Sequence, residues 1–149
     1  LFEAFKNLQK SLSGFEKGVN LYAPLDWQAL GLYGGLDPYT GEVSDYNFYI
    51  HSDFIKIPDE SFSLTIQTEG SDSIYVYFYD ESKKFIKREY IYANSKTFEV
   101  PRRAKYIRMY SYLQTPSSIL INKTKVEFGE KTDWTIAPED EQYMKLQLI

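Results

Sequence analysis

From Phe48 to Phe128 the chain breaks into seven short apolar and aromatic runs, each closed by turn-forming residues. The runs are FYIHSDFIKI (48–57), FSLTIQT (62–68), SIYVYFYD (73–80), FIKREYIY (85–92), KTFEV (96–100), KYIRMYSYL (105–113) and SILINKTKVEF (118–128). Between them lie PDES, EGSD, DESKK, ANS, PRRA and QTPS. Asp, Asn, Ser, Gly and Pro in such clusters reverse the chain locally, so the strands they separate pair antiparallel. Nothing helix-length separates successive runs, which argues against a βαβ fold. The expectation is an all-β fold, an antiparallel jelly-roll β-sandwich with a short N-terminal α-helix.

Within the runs, parity assigns faces. Alternate residues of a strand point to opposite sides of a sheet. In IYVYFYD (74–80), Ile74, Val76 and Phe78 share one side, and Tyr75, Tyr77 and Tyr79 the other. In KYIRMYSYL, Ile107, Met109 and Leu113 oppose Tyr106, Arg108, Tyr110 and Tyr112. Arg88, Tyr90 and Tyr92 share a face in FIKREYIY. The aliphatic faces belong to the core of a two-layer fold, so the tyrosines are expected to face outward or into the hollow of a curved sheet.

A sheet face of this kind suits a sugar. The C–H face of a pyranose stacks on an aromatic ring, and its hydroxyls take fixed polar partners. The candidate carbohydrate-binding residues are Tyr75, Tyr77, Arg108, Tyr110 and Tyr112, followed by Tyr90 and Tyr79. The competing reading is a set of cross-strand aromatic ladders, each pair stabilising the sheet by about 0.2–1 kcal/mol. Trp27, in LDWQAL, is either an exposed binding residue of a loop or a plug closing one end of the sandwich.

Composition narrows the chemistry. All 14 tyrosines sit in a chain with one histidine and no cysteine, which excludes disulfides, thiolate metal sites and multi-histidine centres. Carboxylates are plentiful but fall beside turns, where they bond backbone amides, so no acid–base pair is assigned and no enzymatic activity is expected. No cofactor is called for, and a structural calcium held by loop carboxylates has no assignable site. No apolar run approaches the ~18 residues of a membrane span. The net charge of −4 argues against nucleic acid. Charge is nonetheless uneven. Residues 83–108 hold nine basic and two acidic side chains, a balance of +7 that leaves −11 on the remainder. That segment reads either as solvated charge on a hairpin or as a patch for an anionic ligand.

At the N-terminus, Leu1, Phe5, Leu8, Leu12 and Phe15 form a heptad seam. It predicts a helix over 1–18 that either ends an oligomerising coiled-coil stalk or packs on its own domain. Gly18 stops it. Residues 19–47, rich in glycine and without a period, read as loops with short extended pieces.

The stretch KVEFGEKTDWTIAPED (125–140) resembles a closing motif of tail and baseplate proteins from phages of Gram-positive bacteria. In that motif a last strand is followed by Glu-x-Gly, a Thr-Asp/Glu-Trp step and Ala-Pro-Glu-Asp. The matching residues are Glu127, Gly129, Thr132, Asp133, Trp134, Ala137, Pro138, Glu139 and Asp140, with Phe128 where a Lys is often seen. YFYDESKKFI (77–86), VPRRAKYIRMY (100–110) and the opening Asn20-Leu21 are similar to the same family.

The resemblance implies a galactose-binding-like jelly roll over 19–140, related to carbohydrate-binding modules, followed by a C-terminal tail, 141–149. It implies Trp134 beneath the sandwich and Asp80 closing a hairpin turn. It also implies a non-catalytic virion component that binds host cell-wall polysaccharide during adsorption, or else a structural spacer that docks other baseplate proteins. The partners expected are that polysaccharide, with phosphate in it if the basic segment meets the ligand through Arg108, and other tail proteins. A homo-oligomer is expected, a trimer before other numbers, with no nucleic acid and no membrane.

Overall fold

A computed structural model describes residues 17–147. The N-terminal helix expected over 1–18 falls almost wholly on residues outside that range. Six strands form one antiparallel sheet: β1 (Tyr49–His51), β2 (Ile55–Lys56), β3 (Ser63–Tyr79), β4 (Phe85–Glu99), β5 (Tyr106–Tyr112) and β6 (Lys125–Phe128). Their order is β1-β5-β3-β4, with β2 also on β5 and β6 also on β3. The sheet is open, not closed into a barrel. Among the described residues three helices accompany it: α1 (Pro24–Ala29), α2 (Pro116–Asn122) and α3 (Pro138–Gln147).

The central feature is the β3–β4 hairpin. The sequence suggests four short strands here, but the EGSD and ANS clusters do not reverse the chain. They lie opposite each other within two long strands, where Thr68 pairs with Asn94 and Ser73 with Tyr92. Four residues of β3, 69–72, therefore stand against Ala93 alone. This is a bulge, with the extra chain displaced from the ladder. Ala93 and Asn94 take positive φ, 50° and 62°, which shifts the phase of β4. Ile91 and Phe98, seven positions apart, consequently both reach the core.

Connectivity shows that the hairpin bends. Ser63 pairs with Glu99 at one end, and Tyr79 with Tyr106 beyond the other. A straight strand from 63 to 79 would cover about 53 Å. The seven steps from Glu99 to Tyr106 reach at most about 25 Å. The two ends must therefore approach each other, and both halves of β3 line one core. Leu64 and Ile66 from the first half join Ile74, Val76 and Phe78 from the second, with Ile107, Met109 and Val126. Each such buried side chain contributes roughly 1.5–3 kcal/mol.

Residues 118–128 form no continuous strand. Thr115 and Ser118 make a reciprocal capping box, Thr115 Oγ1 accepting from Ser118 N–H at 3.2 Å and Ser118 Oγ from Thr115 N–H at 2.9 Å. Pro116 follows the cap and Lys123, at φ 45°, ends the helix. Local capping thus overrides the strand preference of Ile119, Leu120 and Ile121. At the C-terminus, residues expected as a tail continue α3 from Pro138.

The residues that carry the family resemblance are fasteners. The buried Asn20 uses all four hydrogen bonds of its amide, donating to Thr124 and Thr135 carbonyls and accepting from Tyr22 and Val126 N–H groups. Glu127 accepts from Thr132 N–H and Oγ1–H. Buried beside it, Lys125 donates to Thr132 Oγ1 at 2.9 Å and the Asp133 carbonyl at 2.7 Å, with Glu127 Oε2 at 3.9 Å. Burial holds the Lys125 ammonium below the usual lysine range. The half-buried Trp134 donates to the Thr124 carbonyl at 3.2 Å. Asp80 closes the β3–β4 turn by accepting from Ser82 and Lys84 N–H groups.

Candidate functional site

Strand order decides what the tyrosines face. Because β5 and β4 flank β3, Tyr110 and Tyr90 both lie opposite Tyr75, and Tyr49 lies opposite Tyr112 on the next strand out. The rings make one row across four strands. Tyr75 and Tyr110 stack at 5.6 Å and 8°, Tyr75 and Tyr90 meet at 5.4 Å, and Tyr49 meets Tyr112 at 4.8 Å and Tyr110 at 5.3 Å. Tyr92 continues the row from Tyr90 at 5.9 Å. The tyrosine-bearing faces of different strands therefore adjoin.

They do not all meet solvent. Residues 31–48, all but Phe48 read from sequence as loops, fold over the far half of the tyrosine face. Asp37 starts a tight turn, its carboxylate accepting from Tyr39 and Thr40 N–H groups, and Leu36 bridges to Val43. Tyr77 donates its hydroxyl to the Leu36 carbonyl at 3.0 Å, and Tyr79 to the Gly41 carbonyl at 2.6 Å. With Leu36 they form a second small core. Gly41 has φ 68°, and a Cβ there would lie 2.8 Å from the Phe85 ring.

These positions correct two of the candidates. Tyr77 is 0% exposed and presents no ring face to a ligand. Trp27 is 4% exposed, packed edge-on against Tyr22 at 5.4 Å, so it is core and not a binding loop residue. The lesser candidate Tyr79 is buried too. Arg108 keeps the face expected of it, yet its guanidinium lies over Phe54 at 4.2 Å, away from Tyr110 and Tyr112. The other basic residues are strung along β4 and its turns, several of them already engaged. Lys87 pairs with Glu89 at 2.9 Å, Arg88 covers the Tyr75 ring at 4.8 Å, Lys96 covers Phe98 and Lys83 covers Phe54.

What remains is Tyr75, Tyr90, Tyr110 and Tyr112, and beside them opens a cleft of about 290 Å³. Tyr49, Tyr75, Tyr110 and Tyr112 line one side. Gly70, Ser71 and Asp72 of the bulge, with Ser73 beside them, line the cleft as well, together with Gln114, Asn122 and Thr124. Gly70 allows this wall to sit close to α2, since a Cβ would come within 2.9 Å of the Asn122 amide. Deeper groups are already satisfied: Tyr22 donates to Ser111 Oγ at 2.6 Å, and Thr68 and Thr124 hydroxyls bond at 2.8 Å. The Tyr112 hydroxyl beside it, and then burial, push Tyr49 up to about 12. Burial first, then the neighbouring phenols, push Tyr110 up to about 12. Both are neutral hydrogen-bonding groups at physiological pH.

Most of the lining lay outside the sequence prediction, Tyr49, Asp72 and Asn122 among it. Tyr49 was legible by parity, since Ile50 between Tyr49 and His51 is core. Asp72 and Asn122 were not, because both stood in stretches read as turn or strand. His51 is buried, and its Nδ1 lies 3.1 Å from the Gly34 carbonyl. Burial lowers its basicity, so it stays neutral and structural. Among the described residues no group of three or more His, Asp or Glu is placed to hold a metal. No family model matches the chain, nor does any curated protein or solved structure.

Proposed function

We propose that this chain is a non-catalytic saccharide-binding module of a phage tail or baseplate, acting in adsorption to host cell-wall polysaccharide. The observation that carries the reading is the tyrosine row ending in an open cleft with polar walls. Aromatic rings supply stacking surfaces, and the bulge and α2 supply hydroxyl, amide and carboxylate partners for sugar hydroxyls. The bent hairpin, with both halves lining one core, supports the finer reading of a galactose-binding-like jelly-roll sandwich. The closing motif supports the virion assignment. Several linked copies, carried by an oligomer through the N-terminal seam, would raise weak single-site binding by ~10²–10⁴.

A second reading, a spacer that docks other baseplate proteins, is favoured by the exposed Leu120 and Ile121 on α2 and by Leu113 just past β5. Binding of the labelled protein to intact Gram-positive cells and to their purified wall polysaccharide separates the two. Tyr112→Ala is the useful variant: the side chain is 51% exposed, so its loss leaves the fold intact. Saturable binding that this variant loses supports the sugar site. A folded protein that binds no wall polysaccharide leaves the spacer reading in its place.

A further inference from the structure

Resting on the saccharide reading of the cleft, we infer that it takes uncharged sugars and that Asp72 determines this specificity. Among the described residues the cleft lining contains no Lys, Arg or His. Its single carboxylate is Asp72, exposed on the bulge and without a hydrogen-bond or ion-pair partner among the described residues. The next acid on the bulge, Glu69, is already paired with Lys123 at 3.6 Å and lies off the lining. The cations a phosphate would require are committed elsewhere. Arg108 lies over Phe54, and Arg88 lies over the Tyr75 ring without lining the cleft.

A carboxylate is an acceptor only, and its two oxygens suit two hydroxyls on adjacent ring carbons. Charge-assisted bonds of this kind are the stronger ones, and here nothing within the protein competes for them. The same charge repels phosphate, sulfate or carboxylate groups on a ligand, most strongly at low salt because Asp72 is exposed and screened by solvent ions. Ser71 and Ser73 beside Asp72, and Asn122 close to Gly70, add further polar groups to the lining. Among the described residues no basic side chain of the 83–108 segment lines the cleft, and Arg88 meets it only through the Tyr75 ring that it covers.

The test uses matched neutral and anionic polymers of one backbone: dextran with dextran sulfate, amylose with phosphorylated amylose, and β-galactan with its sulfated form. Chitosan is added as an amine-bearing polymer. Binding is measured at low and high salt for the unaltered protein, Asp72→Asn and Tyr112→Ala. The expected result is binding to at least one neutral polymer, with its anionic partner at least ~10-fold weaker at low salt. Asp72→Asn weakens the neutral ligand by roughly 10–100-fold and narrows the gap to the anionic one. An anionic polymer bound as tightly as its neutral partner overturns the proposal. So does chitosan bound best of all, or Asp72→Asn without effect. If Asp72→Asn is silent while Tyr112→Ala abolishes binding, this inference falls and the sugar site stands. If the folded protein binds none of these polymers, this inference falls, and binding to purified wall polysaccharide decides the sugar site separately.

Discussion

Asp140 lies at the start of α3 with its side chain wholly buried, one oxygen accepting from Asp26 N–H in the first turn of α1 at 2.9 Å. Its other oxygen has no partner among the described residues. Burial raises its pKa from an ordinary 3.8 to about 7, against the lowering effect of the α1 amides, and the charges of Asp26 and Glu139 add to the rise. The folded state therefore holds a proton that the unfolded chain releases near pH 4. Below that pH both states are protonated and the fold carries no charge penalty. Between pH 4 and 7 stability falls by about 1.4 kcal/mol per unit, and above pH 7 the loss is complete at about 4 kcal/mol.

Asp140→Asn keeps the amide acceptor and removes the charge. Urea unfolding at pH 4.5, 6, 7 and 8 should find the variant close to the unaltered protein at pH 4.5. At pH 8 it should be about 2–4 kcal/mol more stable, with the same m value. Parallel stability curves across the range would show that Asp140 titrates normally, and the reasoning from burial would be wrong.

Tyr77→Phe strips the hydroxyl from a buried ring and leaves the Leu36 carbonyl unpaired, so denaturant unfolding should show a loss of about 1–3 kcal/mol while polysaccharide binding is unchanged. Gly41→Ala places a methyl against the Phe85 ring at positive φ; it should cost about 1–3 kcal/mol, and hydrogen exchange should rise across residues 36–43. Lys125→Met leaves Glu127 buried without its cation and should cost about 3 kcal/mol by thermal or urea unfolding. The double variant with Glu127→Gln should recover most of that loss, since no charge then remains buried.

Parity was the most informative signal in the sequence. It assigned Ile74, Val76, Phe78, Ile107, Met109 and Leu113 to the core; the first five are buried there, while Leu113, just past the end of β5, is 48% exposed. It placed the tyrosines on the opposite face, but alternation says nothing about what covers a face. The cover comes from residues 31–48, whose Asp37 turn and glycines read only as loop. Turn chemistry misled at EGSD and ANS, because the residues that reverse a chain also build a bulge when two such clusters meet across a ladder. Strand propensity misled at 118–122, where the Thr115–Ser118 box had the stronger local claim. The candidate cleft was half legible: its rings are periodic, while Asp72 and Asn122 converge only through long-range packing.

The bulge at 69–72 has a consequence for descent. Ladder pairing with β4 resumes on both sides of it, at Thr68 and at Ser73, so the register of β3 does not depend on what lies between. Substitutions at Ser71 and Asp72, and insertions beside them, can alter one wall of the cleft while Leu64, Ile66, Val76 and Phe78 stay where they are. If the cleft is the proposed saccharide site, recognition and folding are written in separate residues of this strand, and a lineage under pressure to change its ligand can edit the first without rewriting the second.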